Sequence, residues 1–300
     1  MESDADEAAT PPLIRSSLTP SETRELLASL DLRPSRKLGQ NFLIDGNIVR
    51  KSLELASVVA DDTVVEIGPG LGTLTRALLK AGARVYAVEK DPRLCGFLRE
   101  NLAPRHPGRF VLLEDDAVRT PLAGLPTTDA TPFKIVANLP YAISTPWLDA
   151  VLSGQRLPER MVLMLQQEAA NRFSATPGGK EMGAITVFLR SAYDLDRGHR
   201  VPRRCFHPIP EVDSYLLNLR LKPAPYIFSN PAKDLIRRCF GQRRKQIGAL
   251  LRRFASEHDV SKWLERLATE GFSNQTRPEA IPVPLWQELD RLIRVQETRP

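Results

Sequence analysis

Three hundred residues with 42% hydrophobic content suit one large globular domain or two smaller ones, and no apolar run approaches the ~18 residues of a membrane span. Cys95, Cys205 and Cys239 are scattered with no CxxC pair, and His106, His199, His207 and His258 form no HExxH-like pattern. A disulfide framework and a metal site are therefore poor readings, and reduced thiols are expected. The net charge is +6, and setting aside Glu2, Asp4, Asp6 and Glu7 of an acidic leader raises it to about +10, which points to a polyanionic partner.

Residues 1–18 read as a flexible leader without the apolar core of a secretory signal, so a cytoplasmic protein is expected. Thr19-Pro20-Ser21-Glu22 has the form of a capping box, with Thr19 as N-cap and Pro20 at the first helical position, and predicts a short helix to about Leu30. The loop Arg36-Lys37-Leu38-Gly39-Gln40-Asn41-Phe42-Leu43 follows, then a helix over 46–59. From Thr63 the pattern alternates. Strands are predicted at 63–67, 84–88, 109–113, 133–138 and 160–166, and amphipathic helices over 72–81, 92–102, 144–153 and 167–174. That order predicts an α/β fold with a doubly wound, mainly parallel sheet. Residues 184–190 and 214–221 read as further strands flanking a loop over 202–213. Lys222-Pro223-Ala224-Pro225 marks a boundary, beyond which the chain reads as helical and ends in a helix over 284–296. The expected division is a leader with a short helix over 1–35, an α/β domain over 36–222 and a small all-α domain over 223–300. No solenoid-period repeat is present.

Gly68-Pro69-Gly70-Leu71-Gly72 follows one strand and opens a helix, so its backbone can turn tightly and approach a ligand, with Gly68 and Gly70 as cofactor-binding positions. Thr73 stands where a dinucleotide fingerprint has glycine, which favours a methyltransferase cofactor, S-adenosylmethionine, over a pyrophosphate. Glu89 ends the next strand, where a carboxylate accepts from both ribose hydroxyls. Past the third strand, Asp115 and Asp116 are rival acceptors for the cofactor adenine amino group, and periodicity does not separate them.

Asn138-Leu139-Pro140-Tyr141 closes the apolar stretch that begins at Phe133. An adenine exocyclic nitrogen is a poor nucleophile because its lone pair is delocalised into the ring. Two acceptors on its N–H groups, the Asn138 side-chain oxygen and a carbonyl freed by Pro140 (that of Leu139), would push it towards a tetrahedral geometry, with Tyr141 stacked on the ring. The transfer then needs positioning more than a general base. In Phe206-His207-Pro208-Ile209-Pro210 two prolines stiffen a loop that could hold Phe206 over the other face of a flipped base. The competing reading of Phe206 is a core residue.

Seven basic residues and no acidic one lie between Arg237 and Arg253. On a continuous helix, Phe240, Ile247, Leu251 and Phe254 share one side, with Arg238, Lys245 and Arg252 opposite. A face without acidic partners suits phosphate tracking, and Arg244 adds to it. Arg200, Arg203 and Arg204 beside Phe206 would continue the track to the reacting base.

Taken together, these segments resemble the ribosomal RNA adenine N6-dimethyltransferases, closest to the small-subunit (16S) enzymes of bacteria. The matching stretches are LGQNFL (38–43), VVEIGPGLGTLT (64–75), VEKD (88–91), DDA (115–117), NLPY (138–141), QQEAANRF (166–173), FHPIPEVDS (206–214) and QRRKQI (242–247). The resemblance implies a Rossmann-like S-adenosylmethionine-dependent methyltransferase with a helical RNA-docking domain. It would act as a monomer on an immature small ribosomal subunit and dimethylate two adjacent adenosines of a 16S hairpin. It also implies cofactor contacts from Asn41, Leu43 (through its backbone), Gly68, Glu89, Asp116 and Asn138, and selects Asp116 because the family carboxylate directly precedes the alanine. Met182, where the family usually has an aromatic, and Arg203, in place of a proline, depart from the pattern beside the target base. Two rivals are a large-subunit methyltransferase of the antibiotic-resistance type and a ribosome-assembly factor with dispensable chemistry. A nicotinamide dehydrogenase is a weaker third.

Overall fold

The capping box forms as expected: Thr19 Oγ1 accepts from the Glu22 N–H, and Glu22 reaches back to the Thr19 N–H. It opens helix α1 (Pro20–Ser29) in a computed structural model that describes residues 18–35, 39–128, 130–154, 156–255 and 260–297. Most of the leader, residues 36–38 and His258 lie outside the described residues. Strand β1 (Phe42–Leu43) and helix α2 (Gly46–Leu55) follow; α2 stops short of 59 because Ser57 adopts a left-handed φ of 49°.

The alternating part follows the expected order: β2 (Thr63–Ile67), α3 (Thr73–Lys80), β3 (Arg84–Glu89), α4 (Pro92–Asn101), β4 (Phe110–Glu114), β5 (Phe133–Asn138), α5 (Ser144–Ser153), β6 (Arg160–Gln166) and α6 (Gln167–Ser174). Next come α7 (Ala184–Ala192), β7 (Tyr193–Val201), β8 (Phe206–His207) and β9 (Ser214–Leu221). Seven strands make one sheet in the order β4-β3-β2-β5-β6-β9-β7, parallel from β4 to β6 and antiparallel at β9 and β7. The central strands are buried on both faces, which is why β2 and β5 read as mainly apolar runs rather than alternating ones, interrupted only by single charges at Glu66 and Lys134.

One expectation fails in this region and one strand goes unpredicted. Residues 184–190 are helical, because α7 is buried on nearly every side and a mostly apolar run carries no period to separate helix from strand. Thr186 Oγ1 accepts the Gly183 N–H at its start. The strand lies next to it, in β7, a polar sheet edge with a bulge between Asp196 and His199.

Beyond β9 the chain forms α8 (Asn230–Gly241), α9 (Ile247–Phe254), α10 (Ser261–Thr269) and α11 (Val283–Glu297). The basic run is not one helix: α8 ends at Gly241 and a turn separates it from α9. One apolar core runs from Leu163 and Leu217 of the sheet through Phe188 of α7 into Leu235, Trp263 and Trp286 of the later helices. A buried Lys233 on α8 ties the two parts, donating to the Leu152 carbonyl (2.9 Å) and to Ser153 Oγ (2.8 Å) at the end of α5.

The chain runs outward from β2 to β4 and then returns to β5 on the other side of β2, so a topological switch point lies between β2 and β5. Their ladder extends only from Thr63↔Phe133 to Val65↔Ile135, and the strands part beyond it. The opening falls at their C-terminal ends, where α/β sheets bind ligands.

Candidate active site

A cavity of about 180 Å³ fills that opening, lined by the glycine loop after β2, Glu89 and Lys90 at the end of β3, Asp115 and Asp116 after β4, Asn138 and Pro140 after β5, and Asn41 to Leu43. Gly68 and Gly70 sit at left-handed φ of 66° and 58°. A Cβ on Gly70 would come within 3.2 Å of the Phe42 ring, and one on Gly68 within 3.4 Å of Pro140. The glycines thus let three loops close around one space.

Glu89 is buried and holds that loop in place. Its Oε2 accepts from the Gly70 N–H (3.1 Å), and its Oε1 accepts from the N–H groups of Lys90 (2.8 Å) and Asp91 (3.0 Å). Burial pushes its pKa up, against the pull of those three donors. Glu66, not singled out from the sequence because it lies in a strand interior, also lines the cavity. It is 2% exposed, its Oε2 has no partner among the described residues, and burial raises its pKa to about 8, with a smaller contribution from the charge of Glu89. The available signal was a lone carboxylate inside an apolar strand.

Asp115 has both oxygens engaged, Oδ1 by the Asp116 N–H and Arg119 and Oδ2 by the Thr120 hydroxyl at 2.6 Å. Asp116 accepts from the Val118 N–H (2.9 Å) and from the exposed Lys90 ammonium (2.7 Å), whose hydrogen bond lowers its pKa most. Gln40, another residue not singled out, joins the Asn41 loop to the end of β3 by donating to Asp91 Oδ2 at 3.2 Å and accepting from the Ser35 N–H at 2.8 Å.

On the far side, Asn138 Nδ2 donates to the backbone carbonyl of Asn41 at 3.0 Å. Its Oδ1 has no donor among the described residues, and neither has the Leu139 carbonyl ahead of Pro140, which has no N–H to give. The Tyr141 and Ser214 hydroxyls share a hydrogen bond at 2.9 Å that fixes the half-buried ring, and burial raises the Tyr141 pKa, keeping the phenol neutral. Phe206 lies apart from this group: its ring is 1% exposed and it pairs with Leu43 in the small β1–β8 ribbon, where it supports the cavity wall at Leu43, an arrangement that suits the competing core reading.

A model of the ribosomal RNA adenine dimethylase family matches residues 32–280. The chain belongs to that family. It is 64% identical over 272 residues to the ribosomal RNA small subunit methyltransferase A of Opitutus terrae, covering 91% of this chain and 98% of the relative. It is 39% identical over 273 residues to the enzyme of the same name from Streptomyces griseus, covering 89% and 91%. Among solved structures, a dimethyladenosine transferase from Plasmodium falciparum superposes with a TM-score of 0.69 at 25% identity, over 85% of this chain and 98% of that one. The 23S rRNA methyltransferase ErmE superposes at 0.60 with 27% identity, over 84% and 100%.

In this family member the cations expected to meet RNA lie at the surface. Arg203 and Arg204 occupy the turn before β8, Arg238 lies near the end of α8, Arg244 and Lys245 occupy the turn after it, and Arg252 lies on α9. Arg238, Arg244, Lys245 and Arg252 make no ion pair among the described residues. Arg237 differs, being locked to Asp149 and Asp234 at 2.8 Å each. No helix among the described residues is long and apolar enough to cross a membrane, and no three His, Cys, Asp or Glu gather to hold a metal ion.

Proposed function

We propose that this protein transfers methyl groups from S-adenosylmethionine to N6 of two adjacent adenosines in a hairpin of 16S ribosomal RNA. It dimethylates each during maturation of the small subunit, as a cytoplasmic monomer. The reading rests most on Asn138: the Asn41 carbonyl holds its NH2 group, which leaves the side-chain oxygen to accept from an adenine amino group.

S-adenosylmethionine, when bound, supplies an electrophilic methyl group on a sulfonium. The cavity suits such a cationic donor, since Glu66 has a buried oxygen without a partner and left-handed glycines keep side chains out of the space. Glu89 would hold the ribose hydroxyls, Asp116 the adenine amino group and Glu66 the ammonium of the amino-acid end. Gly68, Gly70, Asn41 and the Leu43 backbone would form the walls. Asn138 Oδ1 and the Leu139 carbonyl would accept both N6 protons of the target and localise the nitrogen lone pair, while Tyr141 stacks on the ring. No side chain is needed as a base, because the methylated amine is acidic enough to give its proton to water.

Residues 36–222 form the catalytic domain in this reading, and the helices beyond 223 dock RNA through Arg238, Arg244, Lys245 and Arg252. Arg203 and Arg204 guide the strand to the cavity. The relatives at 64% and 39% identity are named for the small subunit, which favours that substrate over the large-subunit one of ErmE. The test offers labelled S-adenosylmethionine and unmethylated small and large subunits, with nucleosides read by mass spectrometry. Dimethyladenosine in the small subunit alone is expected. Label in the large subunit, or tight RNA binding without label, overturns the reading.

A further inference from the structure

The loop between β8 and β9 presents two bulky aliphatic side chains to solvent, Ile209 (63% exposed) and Val212 (45%). Ile209 is the most exposed large apolar residue among those described. Isolated exposed aliphatics are ordinary, but two within four residues at one loop tip make a patch. The tip cannot collapse to hide them, because Pro208 and Pro210 stiffen it and Pro210 is itself buried. Asp213 clamps its base, accepting from the Arg200 guanidinium (2.7 Å) and from the Arg203 N–H (2.9 Å), while the Arg203 guanidinium donates to the Glu211 carbonyl at 3.4 Å.

The loop ends at Ser214, whose hydroxyl is 2.9 Å from that of Tyr141, so the apolar tip is rigidly referenced to the residue that would stack on the target base. Arg200 and Arg203, both exposed, are bonded to its base, the exposed Arg204 follows Arg203 in the chain, and Glu211 is the one exposed acid of the tip. An apolar tip flanked by arginines at its base fits a partner whose outside is phosphate and whose inside is stacked bases. Extruding a base leaves a gap between its neighbours, and aliphatic side chains inserted between base steps are a known way to hold such a gap open.

We propose that Ile209 and Val212 form an apolar wedge that enters the RNA stack where the target adenosine leaves it. This rests on the reading of the protein as an rRNA adenine methyltransferase. The wedge acts on the substrate, not on the methyl donor, and positions the base without touching its reacting atoms.

The test compares wild type with the double variant Ile209→Ser, Val212→Ser on unmethylated small subunits. Reactivity of the target adenosines towards a reagent specific for unstacked bases is measured alongside methylation kinetics. Wild-type protein should raise that reactivity. The double variant should bind subunits within about threefold, lose most of the reactivity gain and lower kcat at least tenfold with KM little changed. Ile209→Met, Val212→Leu should restore both. Wild-type reactivity and rate in the serine variant overturn the wedge. So does loss of subunit binding in proportion to rate, which makes the patch an affinity contact or a protein-docking surface. If wild type itself methylates no adenosine, the proposed function fails instead, and the two failures are distinct.

Discussion

The side-chain amide of Asn138 donates to the backbone carbonyl of Asn41 at 3.0 Å, linking two segments 97 positions apart in the chain. One bond therefore fixes both the end of β5 and a wall of the cavity, and it decides which end of the carboxamide remains free. Asn138→Ala removes the free acceptor and the tether together. We expect kcat to fall by about 10²-fold or more, as when one preorganised polar group is lost from a reacting centre. RNA affinity, measured by filter binding, should stay near wild type. Methylation at the wild-type rate would remove Asn138 from the site.

Glu89 receives three backbone N–H groups and lines the same cavity. Glu89→Ala should weaken S-adenosylmethionine binding by about 10- to 100-fold, from the ~1.5–3 kcal/mol of a hydrogen bond to a charged group. Titration calorimetry with the donor alone measures this without RNA. Unchanged affinity would place the donor elsewhere.

Glu66 gives a stability signature that depends on pH. Its carboxyl titrates near the ordinary 4.5 when unfolded and at about 8 in the fold, so the folded state favours the protonated form. The destabilisation is absent below about pH 4.5, grows as pH rises and is complete above about pH 8, on the order of a few kcal/mol. Glu66→Gln removes the titration. The Tm of the ligand-free variant should exceed that of wild type at pH 9 by clearly more than at pH 6. An equal difference at both values would show that Glu66 is not protonated in the fold.

The exposed cations on α9 and the turn before it, which make no ion pair among the described residues, should behave differently from the ion-paired Arg237. Alanine at Arg244, Lys245 and Arg252 together should weaken RNA binding and flatten its log–log salt dependence by ~0.7–0.9 for each phosphate that is no longer neutralised. Arg237→Ala should leave that slope alone and lower Tm, because Arg237 is tied to Asp149 and Asp234. An unchanged slope in the triple variant would move the RNA to another face.

Much of the fold is legible from local pattern. β2, β3, β5 and β6 can be read because parallel strands buried on both faces are short apolar runs bounded by glycine, proline or charge. The Thr19 cap and the left-handed glycines at 68 and 70 follow from side-chain chemistry alone. α7 is hidden because full burial erases the helical period, and β7 because an edge strand tolerates Asp194, Asp196 and Arg197. The break at Gly241 is masked because the apolar spacing of 240, 247, 251 and 254 stays in phase across it. Burial of Phe206 depends on its pairing with Leu43, which joins distant segments and leaves no mark on local pattern.

The core that runs unbroken from the sheet through Phe188 into Trp263 and Trp286 has a mechanical consequence. Packed through one core, the last helices and the cavity between β2 and β5 would act as a fixed ruler. If those helices take hold of RNA as proposed, the cavity meets the chain at one set distance from the grip, and a stem lengthened by a base pair or two would present the wrong nucleotide.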